Sequence, residues 1–328
     1  MIEIRKYRKE DKKNWNDFIS IAKNGTFLFN RDFMDYHEDR FSDYSIIIEV
    51  DKKIVALLPA NIEGNIISSH AGLTYGGFVF GVDTSVQKNI FYIKNILEYL
   101  DNKGISQLKL KCLPDFYSKC SQAEIEYAMF LLQAENYRID TALVLEYGNN
   151  FTRKMPKGRK SEISKAKKND VFVEESKTCN FFWNYILIPN LKNRFNVAPV
   201  HNLKEIMLLK NNNPNNIKQF HAVIKDEVVA GATIFETDTT IHLQYLAGND
   251  RSRETGALDF LFYELINLYA NKKKFFDFGI VNENGGEKIN IGMLKWKESF
   301  GTRVGLHKFF AINTNDYNKL DIANYSSK

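Results

Sequence analysis

The chain has 328 residues, enough for two domains of ordinary size, and its 44% hydrophobic and 26% charged content is that of a soluble globular protein. A formal net charge of +5 is mild and argues against a DNA-binding protein, in which positive charge is large or clustered. Cys112, Cys120 and Cys179 match no zinc spacing and are odd in number, the first eleven residues do not read as a signal peptide, and no apolar run reaches the ~18 residues of a membrane span, so a metal-free cytoplasmic protein is expected.

Residues 2–7 read as a strand, and 11–22 and 31–39 as helices. Residues 44–67, YSIIIEVDKKIVALLPANIEGNII, read as strand, tight polar turn, strand, polar turn, strand. A glycine-containing stretch (70–81), a helix (84–103) and a strand (106–113) follow. A helix (122–134) and a strand (139–147) close the first half, and a basic helix (157–168) and two more helices (178–194 and 203–209) lead to the turn-rich NNNPNN. Residues 218–241, KQFHAVIKDEVVAGATIFETDTTI, then align with 44–67 without a gap at an offset of 174, placing Asp51, Lys52 and Lys53 on Lys225, Asp226 and Glu227. The same sequel returns: a glycine-containing stretch, a helix (257–272) and a strand (275–279), then a helix (288–299), a strand (302–312) and a weakly patterned tail. An antiparallel meander followed by a helix and a strand is the plan of the GNAT acyltransferase fold. Its repetition predicts an α/β (α+β) protein of two tandem GNAT-like domains, 1–150 and 151–328, each a mixed, mostly antiparallel sheet flanked by helices.

Five segments are candidates for chemistry. In TIHLQYLAGNDRSRETGALDFL (240–261), a strand carrying Leu246 and Gly248 enters a polar loop with Arg251, Arg253 and Gly256, and a helix opens near Ala257. Helix-start N–H groups attract anions, and in GNAT enzymes this junction cradles the coenzyme A pyrophosphate. The plain alternative is a surface loop. In FFDFGIVNENGGEKINIGMLKWKESFG (275–301), Glu283 and then Asp277 are candidate bases, because amide formation requires a proton acceptor. Either carboxylate is equally suited to cap the next helix or pair with Lys288 or Lys295. HAGLTYGGFV (70–79) offers His70, Tyr75 and Gly77 for a substrate, or simply a glycine-rich turn. TRKMPKGRKSEISKAKK (152–168), with Arg159 and Lys160, suits a nucleotide diphosphate, a tRNA backbone or a solvated charged helix. RFNVAPVH (194–201) ends in a loop histidine, His201.

Together HAGLTYGGF, KGRKSEISKAKK, NRFNVAPVH, QYLAGNDRSRETGALDFLFYELI and FDFGIVNENGGEKINIGMLKWKESFG resemble the double-GNAT acyltransferases of bacterial surface-polysaccharide clusters, relatives of the FemAB peptidoglycan bridge transferases. The resemblance spans about residues 2–312. It implies two GNAT domains with a cleft between them and an acyl-CoA co-substrate held mainly by the C-terminal half. It also implies an N-acyl transfer, of an acetyl or 3-hydroxybutyryl group, to a nucleotide-linked, dTDP-type amino sugar of O-antigen or capsule. On that reading Arg159 and Lys160 meet the acceptor's phosphates, His70, Tyr75 and His201 its sugar, and Lys297 the substrate side. NDRSRETGA departs from the usual Gln/Arg-x-x-Gly-x-Gly/Ala signature. An aminoacyl-tRNA-dependent FemAB-type transferase is the alternative, lacking here the coiled-coil insertion frequent in that group. A non-catalytic nucleotide-sugar binding module is the third reading.

Overall fold

The computed structural model describes residues 2–148 and 155–321. Residues 152–154 of the basic segment, the expected domain boundary at 150 and 151, and the end of the tail lie outside them. The chain divides into two compact units: Met1–Asp140 with Leu306–Lys328, and Thr141–Gly305. No helix among the described residues is long and apolar enough to cross a membrane.

Each unit contains the same hairpin. In the first, Ile46–Val50 pairs antiparallel with Lys53–Leu58; in the second, Ile217–Ile224 pairs with Glu227–Glu236. Asp51 and Lys52 in one turn, and Lys225 and Asp226 in the other, all take positive φ, at 49°, 64°, 47° and 68°. That is the two-residue turn whose twist matches a hairpin's strands. The β-bulge also recurs at the matching place, between Ile48 and Glu49 and between Ala222 and Val223. The repeat read from the sequence is therefore repeated down to turn type and bulge.

The first unit stacks this hairpin, flanked by Ile2–Lys6 and Val79–Phe80, on the helix Val86–Asn102. Ile93, Ile96, Leu97 and Leu100 recur at helical spacing and bury against Ile46, Ile48, Ala56 and Phe80. Ser85 caps the helix by accepting the Lys88 N–H at 3.3 Å. One expectation needs correcting here. The second strand of the hairpin was expected to run unbroken to the next turn, but it stops at Leu58, and Asn61–Glu63 then forms a separate small hairpin with Ile66–Ser68. Pro59 is the reason, since it has no N–H to continue a ladder. In the second unit Thr233 holds that position, and the strand passes it with only a bulge between Thr233 and Ile234.

The second unit orders Phe172–Ser176, Ile217–Ile224, Glu227–Glu236, Thr240–Gly248 and Phe275–Ile280, with the end of the Glu135–Glu146 strand beyond. Helix Ala257–Tyr269 covers one face through Ala257, Leu261, Phe262 and Leu265. Three further expectations shift. The polar loop before it is a short helix, Asp250–Thr255, capped by Asn249, whose side chain accepts the Ser252 N–H. The helix expected over 178–194 holds a π-helical stretch, Phe182–Leu187, before Ile188–Phe195. The helix expected from 288 starts at Ile291, because Lys288–Ile289 pairs with Asn282–Glu283.

The π-helical stretch lies flat on the sheet at Gly231, where an added Cβ would come 2.4 Å from Phe182 Cδ2. Gly231→Ala is expected to cost about 1–3 kcal/mol by overpacking. Combined with Phe182→Leu the cost should fall short of the sum, as urea unfolding midpoints would show.

Candidate active site

The second unit contains a fork. Strands Thr240–Gly248 and Phe275–Ile280 run parallel for three pairs, Thr240 with Phe275, Ile241 with Phe276 and His242 with Asp277, and no later pair joins them among the described residues. The first strand stays with Glu227–Glu236 as far as Ala230 opposite Gly248. The second bends at Gly279, in the left-handed region at φ 76°, and its ladder with Glu135–Glu146 shifts register between Asp277 and Ile280. Lys297, from helix Ile291–Glu298, holds the bend by donating from Nζ to the Gly279 and Ile280 carbonyls, each at 2.9 Å. Carbonyls turned toward a lysine are not available to a neighbouring strand, which keeps the fork apart. Past His242, the edge of the first strand presents main-chain groups to whatever enters.

The last ladder pair carries the titratable groups. Asp277 is 0% exposed. Its Oδ2 lies 2.8 Å from His242 Nδ1, and its Oδ1 accepts the Gly279 N–H at 2.7 Å. A buried carboxylate requires such partners. An ionised Asp277 takes its hydrogen bond from Nδ1–H, the tautomer that leaves the ring's acceptor nitrogen at Nε2. An added Cβ at Gly279 would lie 3.8 Å from Lys297 Nζ and 3.9 Å from His242 Cε1, so both groups border that glycine. Burial pulls the Lys297 pKa down to about 8, with nearby Asp277 opposing the shift.

The other candidates take varied places. Glu283 is exposed in the small hairpin, accepting from Asn290 Nδ2 at 2.9 Å and 3.4 Å from Lys288 Nζ. The Asn290 hydrogen bond first, and then Lys288, lower its pKa, which weakens it as a base. Leu246 is half-buried, and Gly248 is buried against Ser252, its carbonyl accepting from Asn190 Nδ2 at 3.2 Å. Arg251 pairs with Glu227, and Arg253 with Asp250. Gly256 has φ 74° and faces the Glu162 carbonyl, 2.4 Å from where a Cβ would stand, so helix Lys157–Lys168 approaches it closely, with buried Ala257 next to it. Arg159 is ion-paired to Asp259, donates from Nε to Ser299 Oγ at 2.9 Å and sits 4.7 Å over the Phe300 ring, whereas Lys160 is exposed. His201 is buried with Nδ1 2.6 Å from the Tyr245 hydroxyl, whose pKa burial pushes up to about 12. In the first unit His70 is buried with φ 61° beside the Phe41 ring, Tyr75 is buried with its hydroxyl donating to Thr26 Oγ1 at 3.2 Å, and Gly77 has φ 106°.

Sequence reasoning missed His242. The signal available was alternation: in TIHLQYLAG, Ile241, Leu243, Tyr245 and Ala247 are buried, while His242, Gln244 and Leu246 are only half-buried. The decisive fact, that His242 lies opposite Asp277, required the strand pairing.

No protein-family model matches the chain, and no curated protein matches it. Among solved structures it is similar to FemX, at 11% identity over 97% of this chain and 99% of that one, with a TM-score of 0.68. It is also similar to a tandem GNAT protein from the clavulanic acid biosynthesis pathway, at 10% identity over 96% and 99%, TM-score 0.53. L-PGS from Bacillus licheniformis matches at 13% identity over 95% and 93%, TM-score 0.53. At these identities the likeness is one of fold: the chain has a tandem GNAT-like α/β architecture.

Lys297 has a consequence for stability. Its folded pKa, about 8, lies below the ordinary 10.5, so below about pH 8 the native state carries an unfavourable buried charge. Between the two values the unfolded chain binds the extra proton and native stability rises with pH. Loss of the two Lys297 hydrogen bonds costs the same at either pH, so the stability of Lys297→Met relative to wild type should be more favourable at pH 7 than at pH 10, read from urea midpoints at both.

Proposed function

We propose that this protein is an N-acyltransferase that moves an acetyl or 3-hydroxybutyryl group from coenzyme A to the amino group of a nucleotide-linked, dTDP-type amino sugar. The observation that carries the reading is the open fork with the His242–Asp277 pair at its base. A pantetheine arm is an extended chain of amides and fits an open strand edge, to which it hydrogen-bonds as another strand would. The thioester would then lie near His242, its carbonyl polarised by a main-chain N–H of the strand edge next to that residue; residues 246–248, roughly 13–20 Å further along a strand rising about 3.3 Å per residue, would meet the pantetheine arm instead.

In the reaction the amine nitrogen bonds to the thioester carbonyl carbon, the carbon–sulfur bond breaks, and the ammonium proton passes to His242 Nε2 and on to the departing thiolate. Asp277 orients the imidazole and offsets its charge, as a carboxylate does for a catalytic histidine elsewhere. Glu283, exposed and already bound to Asn290 and Lys288, is the weaker base. Lys297 adds positive charge beside the developing oxyanion. Arg251 and Arg253 can reach the donor's diphosphate only by leaving Glu227 and Asp250. The acceptor rests on the sequence resemblance and on the exposed cations of helix Lys157–Lys168.

The test combines calorimetry and thiol release with acetyl-CoA and 3-hydroxybutyryl-CoA, with and without a dTDP-amino sugar. Thiol release should require both substrates. His242→Ala should lower kcat by about 10²–10⁴-fold, the usual range for removing a general base, and Asp277→Asn should lower kcat with little change in KM. Absence of any coenzyme A binding would sink the reading and turn attention to aminoacyl-tRNA as donor.

A further inference from the structure

The two units match strand for strand up to the fork. Ile66, Ile67 and Ser68 pair with Gln107, Leu108 and Lys109 in the same parallel three-pair register as Thr240, Ile241 and His242 with Phe275, Phe276 and Asp277. Ser68 thus stands where His242 does, 174 positions earlier. Beyond the fork, Ala56 faces Phe80 as Ala230 faces Gly248, so Phe80 precedes its counterpart by 168 positions, and Gln107 precedes Phe275 by the same 168. The offset falls by six within residues 69–79 and then holds. The first unit therefore carries six extra residues, and they lie at its fork.

These residues fold into the gap. The chain turns at His70, φ 61°, where its counterpart Gln244 continues an extended strand. The Ser69 N–H donates to the Lys109 carbonyl at 2.9 Å, and Ser69 Oγ accepts the Lys111 N–H at 2.8 Å. The Gly76 N–H donates to the Lys111 carbonyl at 2.8 Å, and Lys111 Nζ donates to the Leu73 carbonyl at 2.7 Å. These bonds take up the Lys109–Lys111 side of the fork. The edge of Val79–Phe80, the counterpart of the strand that would meet a ligand, is bonded as well: Asn24 Nδ2 donates to the Phe78 carbonyl at 2.8 Å, Asn24 Oδ1 accepts the Phe80 N–H at 2.9 Å, and the Lys23 N–H donates to the Phe80 carbonyl at 3.0 Å. A Cβ on Gly76 would fall 1.6 Å from the Ser69 carbonyl oxygen, so the two ends of the segment touch and only glycine fits there. Tyr75 anchors it, 1% exposed, with its ring 4.5 Å from that of Tyr117.

We infer that residues 69–76 are a built-in plug closing the first unit's fork, so that the protein takes one thioester donor per chain, in the second unit. The donor's identity in this inference rests on the acyl-CoA reading above. On it, His70 and Tyr75 serve the seal, and the duplicated fold has kept two frames but one open fork.

Calorimetry of the full chain with acetyl-CoA should give a stoichiometry of one. Hydrogen exchange at saturating acetyl-CoA should show new protection in peptides covering 243–248 and none in those covering 66–80 or 107–112. Gly76→Ala, measured without ligand, should speed exchange at the Lys111 amide by about tenfold or more, as opening of a local unit does. A stoichiometry of two, or ligand protection in the first-unit peptides, overturns the plug and leaves the proposed activity standing. A stoichiometry of zero overturns both. Unchanged Lys111 exchange in Gly76→Ala overturns the plug alone.

Discussion

The buried carboxylate of Asp277 is the constraint around which the second unit is arranged. A charge taken out of water must be met at close range. Two groups supply partners, His242 from the adjacent strand and the Gly279 N–H from the bend in its own strand, while Lys297, from the following helix, bonds the carbonyls of that bend. Each partner has a second effect. Holding His242 ends the parallel ladder at a defined pair. Accepting from Gly279 keeps the bend tight, and Lys297 turns two carbonyls away from the neighbouring strand. The end of the ladder, the bend and the His242 contact thus all meet at one buried carboxylate.

The same frame without that charge behaves differently. In the first unit Lys109 stands where Asp277 does and Ser68 where His242 does. Serine and lysine make no carboxylate–imidazole couple, and Ser69 and Gly76 bond the Lys109–Lys111 side of the fork instead. The shared turn and bulge depend on local backbone geometry. The forks differ in a few side chains and in the length of one connection.

Much of the fold was legible in the sequence for that reason. Turns such as DKK and KDE, flanked by β-branched runs, declare a hairpin within a dozen residues, and a repeated hairpin at fixed offset declares two units. What escaped was non-local or opposed to the local signal. Pro59 broke a strand whose apolar pattern ran on. Asp250–Thr255 is helical because Asn249 caps it, although its composition reads as a loop. His242 had no visible motif, since its partner lies 35 positions away. Asp277 was identifiable as a carboxylate among aromatic residues, but its burial and its contact with His242 Nδ1 required the structure. Glu283 drew attention through its glycine-rich turn, a setting that in fact leaves it in water with two partners.

Charge compensation separates the cations of the second unit into two kinds. Arg159, Arg251 and Arg253 each face a carboxylate, Asp259, Glu227 and Asp250. Arg159 is further enclosed by Trp296, Phe300 and Ser299, so its fork of donors is committed to binding helix Lys157–Lys168 to helices Ala257–Tyr269 and Ile291–Glu298. Lys157 and Lys160 are exposed, with no ion-pair partner among the described residues. A lysine meets phosphate as a hydrated point charge, with little directional demand. Affinity contributed by these residues would be screened by salt and tolerant of geometry. Precise placement of a reacting group must then come from elsewhere. The strand edge past His242, where hydrogen bonds have fixed spacing and direction, is the part of the unit able to supply it.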